Sequence, residues 1–402
     1  MEKTLKKEKL WTKSFILLIV GNLFVFMAFQ MLIPTLPPYF QSIGASGLEV
    51  GLVTALFSLG AVLVRPFVGY LLEFKARKMM VIVSTVVLLI ITLFYPLTSI
   101  VFVLLALRFV HGLAWGWSTT VNGTAAVDVV PNSRIGEGMG YYGLAITVGM
   151  IIAPSLGIFL YQRTPFSVLI TVSAVFGVLA LVLLAFISDR TPKNVLLTKR
   201  EDVAFSFKGS LIEKTSWYPA FVTFVATFGY GTIVTFIIIF SEERKLDQIF
   251  LFYLFNAIVA TLVRPITGKY FDQHGPKVLV AVCSIFTFVA MWILSFAYSN
   301  PLIIIAGILF GAGYGSLIPT LQAWVLSMTP PQRRGVANGM FYSAIDLGIG
   351  LSGLVFGVIA SFTEVHHLFQ ISSFFFLVVI VLTMFDHLFF KGKPITIAKH
   401  MK

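Results

Sequence analysis

Twelve long apolar segments follow one another along the chain, and this feature constrains the fold more than any other. A helix needs about 20 residues to cross the ~30 Å hydrocarbon core of a bilayer. Because lipid offers no hydrogen-bond partners, a backbone that crosses it has to satisfy its own polar groups, as a helix does. The pattern predicts an all-α integral membrane protein with twelve transmembrane helices, spans 1 to 12. They lie at residues 14–37, 47–68, 79–97, 101–126, 137–160, 166–188, 216–240, 248–267, 278–297, 301–326, 336–361 and 368–390.

The composition agrees with a membrane protein and argues against an enzyme. The chain is 58% hydrophobic and 11% charged, whereas soluble domains carry about 25% charged residues. Cys283 is the one cysteine, so neither a disulfide framework within a monomer nor a cysteine-based metal cluster is expected. The six histidines are scattered, with no nucleophile and base in a common motif. We therefore expect no catalytic residues and no bound metal.

The basic residues lie almost entirely on one side of the predicted membrane. If the N-terminus is cytosolic, all but four of the 29 Lys and Arg residues fall in cytosolic segments, the exceptions being Arg108, Arg163, Arg244 and Lys245. Cytosolic loops are typically rich in Lys and Arg, so both termini are predicted to be cytosolic. Topology thus accounts for the net charge of +12, and nucleic acid is not an expected partner. The pattern suits a multi-pass protein of a bacterial inner (cytoplasmic) membrane, expected to be monomeric.

A polar, basic stretch near the middle of the chain divides the spans six and six. It predicts an N-terminal six-helix bundle over residues 1–188, a cytoplasmic linker over 189–215, and a C-terminal six-helix bundle over 216–402. The two halves are related in sequence. "LVRPFVGYLLEFKARKMMV" (63–81) aligns without a gap to "LVRPITGKYFDQHGPKVLV" (262–280), an offset of 199 residues. The same offset relates Gly112 to Gly311 and Gly116 to Gly315. An even number of spans per half predicts parallel repeats related by an axis along the membrane normal.

Three motifs on these repeats resemble those of the major facilitator superfamily. "GYLLEFKARK" is similar to its loop motif after span 2, and "LALRFVHGLAWG" to its motif in span 4. "GMIIAPSLG" in span 5 resembles a motif of the 12-helix drug/proton antiporters, the multidrug efflux branch. The resemblance implies two pseudo-symmetric six-helix bundles and a transport site near the midplane. The matching positions are Gly69, Arg77 and Lys78 in the loop, Gly268, Asp272 and Lys277 in its second copy, Arg108 in span 4, and Gly149, Pro154 and Gly157 in span 5. Glu73 stands where the family has Asp, and His111 stands where Gln is common.

The resemblance also implies conformational roles for the loop motif and the span 5 motif. The acidic residues Glu73 and Asp272 are expected to cap the N-terminal end of a helix from the opposite half, where the helix dipole favours negative charge. Asp128 is expected to pair with Arg77. The small residues of span 5, with Pro154 adding a bend, are expected to pack that span closely against span 8.

Two charged residues lie well inside the predicted spans. A charge at mid-membrane costs about 2.5–3.5 kcal/mol on insertion scales, so such residues are commonly functional. Arg108 stays protonated and can hold an anionic substrate or act on a nearby carboxylate. Asp346 in span 11 is the best candidate for a proton carrier or a cation-binding group. His111, one turn from Arg108, could also titrate or serve as a neutral hydrogen-bonding residue.

Polar and aromatic residues complete the predicted substrate site. Span 1 carries Asn22 and Gln30 but no acid, although many drug antiporters have a carboxylate there. Trp115, Tyr141 and Tyr342 lie in spans 4, 5 and 11, where an aromatic lining would suit amphiphilic or aromatic compounds.

Three classes of function are compatible with these features. The first is a proton-coupled exporter of small organic compounds that works by alternating access, and the motif of span 5 favours it. The second is an importer, symporter or uniporter of a metabolite or sugar. The third is a membrane enzyme or a non-transporting sensor, for which the linker is too short and the reactive groups are missing. The sequence contains no G-x-x-x-x-G-K-[ST] nucleotide-binding motif, so the energy is expected to come from a gradient or from the substrate itself. The resemblance to the drug/proton antiporters implies a proton gradient as the energy source, and no cofactor is expected.

Overall fold

A computed structural model of the protein describes residues 9–72, 74–131, 134–191, 197, 205–330 and 334–385. Within these ranges the regular structure consists of helices. Twelve of the described helices are long and apolar enough to cross a membrane, which confirms the predicted number. The helices are α1 (Lys13–Gln30), α2 (Leu36–Ser42), α3 (Gly47–Leu72), α4 (Arg77–Phe94), α5 (Val101–Val129), α6 (Ile135–Arg163), α7 (Phe166–Ala185), α8 (Phe207–Leu211), α9 (Trp217–Glu243), α10 (Phe250–His274), α11 (Pro276–Ser295), α12 (Asn300–Ser327), α13 (Arg334–Ile359) and α14 (Val365–Met384).

Spans 1 to 12 correspond to α1, α3 to α7 and α9 to α14, and prolines set several of their ends. Span 1 ends earlier than predicted, at Gln30, because the following residues form a turn and the short helix α2 then starts at Leu36 with prolines in its first positions. Proline is favoured at the start of a helix and disfavoured in its interior. Span 3 ends similarly: α4 gives way to a 3-10 turn at Tyr95–Leu97, which contains Pro96.

The described residues form two compact units, and the same helix pairings occur in both. The first unit comprises those within Met1–Ala45 and Leu56–Leu211, and the second those within Ser46–Ala55 and Ile212–Lys402. In the first unit α1 packs against α6 and α7, and α4 against α5 and α7. In the second unit α9 packs against α13 and α14, and α11 against α12 and α14. Each pairing of the first unit thus recurs one repeat later, as the sequence offset predicts.

Glycines at repeat-related positions allow close helix crossings in both units. A Cβ added to Gly112 of α5 would collide with the carbonyl oxygen of Phe57 in α3. In the second unit a Cβ added to Gly311 of α12 would collide with the carbonyl oxygen of Asn256 in α10. Both contacts are related by the offset of 199 residues. Small residues at such crossings let helix backbones approach in lipid, where packing replaces the hydrophobic effect.

The beginning of α3, up to Ala55, belongs to the second unit, which the sequence did not predict. Gly47 and Gly51 lie against Gly357 and Gly353 of α13, so closely that a Cβ on Gly51 would collide with the Gly353 carbonyl oxygen. The hydroxyl of Thr54, on the next turn of α3, lies 3.1 Å from that of Thr235 in α9. Glycine on both helices therefore fixes this end of α3 within the second unit.

We expect Gly112→Ala to lower the stability of the first unit by about 1–3 kcal/mol, because the added methyl group overpacks the α3–α5 crossing. Gly123→Ala on the same helix is the matched control, since no atom lies within 4 Å of its added Cβ; its effect should stay within about 0.5 kcal/mol. Thermal unfolding of the purified variants measures the difference. Equal midpoints for the two variants would show that the crossing is not tightly packed.

Candidate functional site

The guanidinium of Arg108 lies inside the first unit. Arg108 is seven residues into α5, roughly 10 Å along the helix, and only 2% of it is exposed. Its Cζ atom lies 4.6 Å from the centroid of the Phe57 ring of α3. A cation over an aromatic face is attracted by the ring quadrupole, by up to about 2 kcal/mol when desolvated. The ring therefore offsets part of the cost of placing this charge in the membrane.

Tyr95 connects Arg108 to His111. Its hydroxyl lies 3.0 Å from Nδ1 of His111, and it also interacts with the side chain of Arg108. Tyr95 and His111 are both buried. The 3-10 turn after α4 brings Tyr95 over the first part of α5. Arg108, Tyr95 and His111 therefore form one polar cluster, which we call the Arg108 cluster.

Aromatic rings lie directly below this cluster along α5. Trp115 stacks on Phe29 of α1, with ring centroids 3.8 Å apart and an interplanar angle of 22°. Phe29 also lies 5.2 Å from the His111 ring, in a T-shaped arrangement. Trp115 is thus placed one turn beyond His111, within the first unit and against α1. Its predicted role in substrate binding stays a prediction.

The polar residues of α1 take different positions. Asn22 is buried and its Oδ1 accepts a hydrogen bond of 3.1 Å from Nδ2 of Asn122 in α5. That Asn122 amide also donates to the Ser118 hydroxyl at 3.3 Å. Gln30 is the last residue of α1 and is buried. Asn22 therefore joins α1 to α5, two turns along α1 from Gln30.

The other predicted substrate residues lie elsewhere. Tyr141 of α6 packs against Trp11, with ring centroids 4.7 Å apart. Trp11 precedes α1, so Tyr141 lies at the opposite end of the first unit from Arg108. In the second unit Asp346 is partly exposed on α13, one turn after the exposed Tyr342. The described residues contain no group of three His, Cys, Asp or Glu side chains that could hold a metal ion.

The loop motif closes the turn between α3 and α4. The expected ion pair is present: Nε of Arg77 donates to Oδ2 of Asp128, at the end of α5, over 2.8 Å. The same guanidinium donates to the carbonyl oxygen of Leu72, the last residue of α3. The backbone amide of Arg77 donates to the Thr191 hydroxyl at 2.8 Å and so caps the start of α4 from a residue after α7.

The structure describes the other residues of the loop motif and of its second copy only in part. Lys78 follows Arg77 at the start of α4 and is partly exposed. A Cβ added to Gly69 or to Gly268 would meet no atom within 4 Å. Lys277 is in the first turn of α11. Glu73 lies outside the described residues, and so does the side chain of Asp272, so their predicted capping contacts stay predictions.

The small-residue face of α6 packs against α1, and the expected packing of this span against span 8 stays a prediction. A Cβ added to Gly149 would lie 2.8 Å from Cβ of Phe26, and one added to Gly157 would collide with the backbone of Met31. Pro154 lies between them inside α6. The motif shows which face of α6 carries small residues, but not which helix packs against that face. Here the packed helix is α1, which belongs to the same unit.

Comparisons with known proteins agree with this fold. A family model described as the Major Facilitator Superfamily matches residues 18–279 and 251–396, so the chain belongs to the major facilitator superfamily. It is a membrane-embedded, multi-pass transporter, and its substrate is a small molecule. A solved structure titled as a bacterial homolog of the human lysosomal transporter Spinster, in an inward-facing and occupied conformation, gives a TM-score of 0.75. The likeness covers 96% of this chain and 100% of that chain at 12% identity, and it shows the fold alone.

Curated relatives include proteins named as exporters. The multi-drug resistance efflux pump PmrA homolog of Lactococcus lactis subsp. lactis (strain IL1403) is 26% identical over 389 residues, which cover 92% of this chain and 94% of that protein. The staphylopine export protein of Staphylococcus aureus (strain Mu50 / ATCC 700699) is 22% identical over 385 residues, which cover 92% of this chain and 95% of that protein.

Tyr95 is the member of the Arg108 cluster that the sequence did not reveal. Its neighbour Pro96 indicates a turn at the end of span 3, but nothing local indicates that this turn folds over α5.

We expect Tyr95→Phe to lower stability by about 1–3 kcal/mol, because it leaves buried polar groups of the Arg108 cluster without their hydroxyl partner. Tyr298→Phe, at a position 67% exposed, is the control and should change stability by less than about 0.5 kcal/mol. Thermal unfolding tests both, and an unchanged midpoint for Tyr95→Phe would contradict the arrangement.

Proposed function

We propose that the protein is a proton-coupled exporter of small organic compounds that binds an anionic group of its substrate at Arg108. The observation that carries this proposal is the burial of a permanently charged guanidinium between Phe57 and Tyr95. Arginine does not release its proton at physiological pH and presents a planar fork of donors that matches carboxylate and phosphate groups. It suits the binding of an anion better than the carriage of a proton.

Two observations support export as the direction of transport. The printed names of the two relatives described above are those of an efflux pump and an export protein. The chain also carries the glycine–proline pattern of drug/proton antiporters in α6, where Gly149 and Gly157 bring α6 close to α1. The proposed location is the cell membrane of a bacterium.

Asp346 is the proposed proton carrier. It is the acidic residue predicted deepest in a span, and acidic side chains within transmembrane segments commonly relay protons. Alternate occupancy by a proton and by substrate would produce antiport, because each state favours one conformation of the transporter. His111 is the alternative carrier, within the Arg108 cluster.

We expect Arg108→Ala to weaken binding of anionic substrates by about 10- to 100-fold, the loss of one charge-assisted interaction. Arg108→Lys should retain part of the affinity, because it keeps the charge but not the planar fork. Arg163→Ala is the matched control: this exposed arginine of the same unit also lies over a phenylalanine ring, 4.4 Å from Phe159. Titration of the purified proteins with organic anions measures the effect. Equal losses in Arg108→Ala and Arg163→Ala would remove Arg108 from the site.

We expect Asp346→Asn to abolish transport driven by a pH gradient while substrate binding and exchange persist, because an amide cannot carry the proton. Asp247→Asn, at an exposed position outside the spans, should transport normally. Both variants are reconstituted in proteoliposomes and assayed for gradient-driven uptake and for exchange. If Asp346→Asn keeps an unaltered dependence on the gradient, the proton carrier is elsewhere or transport is not coupled to protons.

A further inference from the structure

The second unit contains a group of three tyrosines that the proposed function leaves unused. Tyr230 of α9 and Tyr314 of α12 stack with ring centroids 4.2 Å apart at an angle of 29°. Tyr314 also stacks on Phe310, at 5.1 Å and 26°. Tyr253 of α10 is buried and interacts with Tyr230. We call Tyr230, Tyr253 and Tyr314 the tyrosine cluster.

The tyrosine cluster occupies the place in the second repeat that the Trp115 stack occupies in the first. The offset of 199 residues relates Trp115 to Tyr314, and each ring stacks on an aromatic residue from the first helix of its repeat. The same offset relates Arg108 to Gly307. Both units therefore have an aromatic stack at equivalent positions, but in the second unit no cation stands at the position equivalent to Arg108.

Asn256 supplies hydrogen-bonding groups beside this stack. It follows Tyr253 by about one turn on α10, and its Oδ1 lies 3.7 Å from the position that a Cβ on Gly315 would take, next to Tyr314 in sequence. The repeat relates Asn256 to Phe57, the ring that supports Arg108 in the first unit. Among the residues that the structure describes, the Asn256 amide has no hydrogen-bond partner. A side-chain amide offers both a donor and an acceptor, in one plane.

We propose that Asn256 and the tyrosine cluster form a binding subsite for a planar aromatic ring that carries a hydrogen-bonding atom on its edge, such as a nitrogen heterocycle. The ring stacks on the partly exposed Tyr230 or Tyr314, and its edge atom binds the Asn256 amide. Stacking accepts any flat ring, whereas the amide selects rings with a polar edge. The relevance of this subsite to transport rests on the proposed function, in which flat aromatic rings with a polar edge would be one class of substrate.

Two neutral probes of the same shape test the subsite. 6-Hydroxymethylquinoline and 2-hydroxymethylnaphthalene differ by one ring nitrogen, and neither carries a charge for Arg108. Ligand-observed NMR titration of the purified protein in nanodiscs, with empty nanodiscs subtracted, gives their affinities. We expect the quinoline to bind about 3- to 10-fold more tightly than the naphthalene, the effect of one hydrogen bond. Equal affinities for the intact protein, or no binding of the quinoline up to its solubility limit, would overturn the proposal.

Variants separate the two parts of the subsite. Asn256→Leu should remove the preference for the quinoline without weakening the naphthalene, and Tyr314→Leu should weaken both probes by about 3- to 10-fold. Tyr298→Leu, an exposed tyrosine of the same unit, should change neither. Circular dichroism and size-exclusion chromatography check folding, and Tyr230→Leu replaces Tyr314→Leu if that variant does not fold. A preference that survives Asn256→Leu, or unchanged affinities in the tyrosine variants, would overturn the assignment. If the wild-type protein shows no proton-driven export, the proposed function is contradicted, but these binding results still stand.

Discussion

The close approach of α5 to α3 at Gly112 determines where the buried charge of the first unit lies. Because Gly112 has no side chain, the backbone of Phe57 comes into direct contact with it, and the ring of Phe57 then lies beneath the guanidinium of Arg108, one turn earlier on α5. The turn after α4 adds the Tyr95 hydroxyl, which also reaches His111. An arginine within the bilayer needs such partners, since lipid supplies none. The geometry of one helix crossing thus makes the Arg108 cluster possible.

The second unit repeats this crossing with different chemistry. Gly311 meets the backbone of Asn256 as Gly112 meets that of Phe57, yet the position equivalent to Arg108 is a glycine and the position equivalent to Phe57 is an amide. The backbone packing of the two units is therefore conserved between the repeats, whereas the polar groups are not. A pair of related scaffolds with unlike side chains can present a cation in one unit and neutral hydrogen-bonding and aromatic groups in the other.

Much of this arrangement could be predicted from the sequence, because it depends on local patterns. Span length predicted the twelve helices, the offset of 199 residues predicted the repeated packing, and the resemblance in the loop motif predicted the Arg77–Asp128 pair. The missed features depend on which helix faces which neighbour. An apolar helix surrounded by lipid and protein has no polar face to fix its rotation, so the sequence could not show that Gly149 meets α1 or that Tyr141 meets Trp11. The place of Tyr95 depends on the path of a turn, which residue spacing does not encode.

The central claim is that substrate binding at the buried arginine is coupled to movement of protons. Substrate-dependent proton flux in proteoliposomes that contain the wild-type protein and an internal pH indicator tests it most directly, with organic anions and organic cations compared at equal concentrations. The account predicts that anions entering through the transporter drive protons out, with no response in empty liposomes and a smaller response to cations. Substrate transport without any proton flux, or proton flux in the same direction as substrate, would contradict proton-coupled export and favour a uniporter or a symporter.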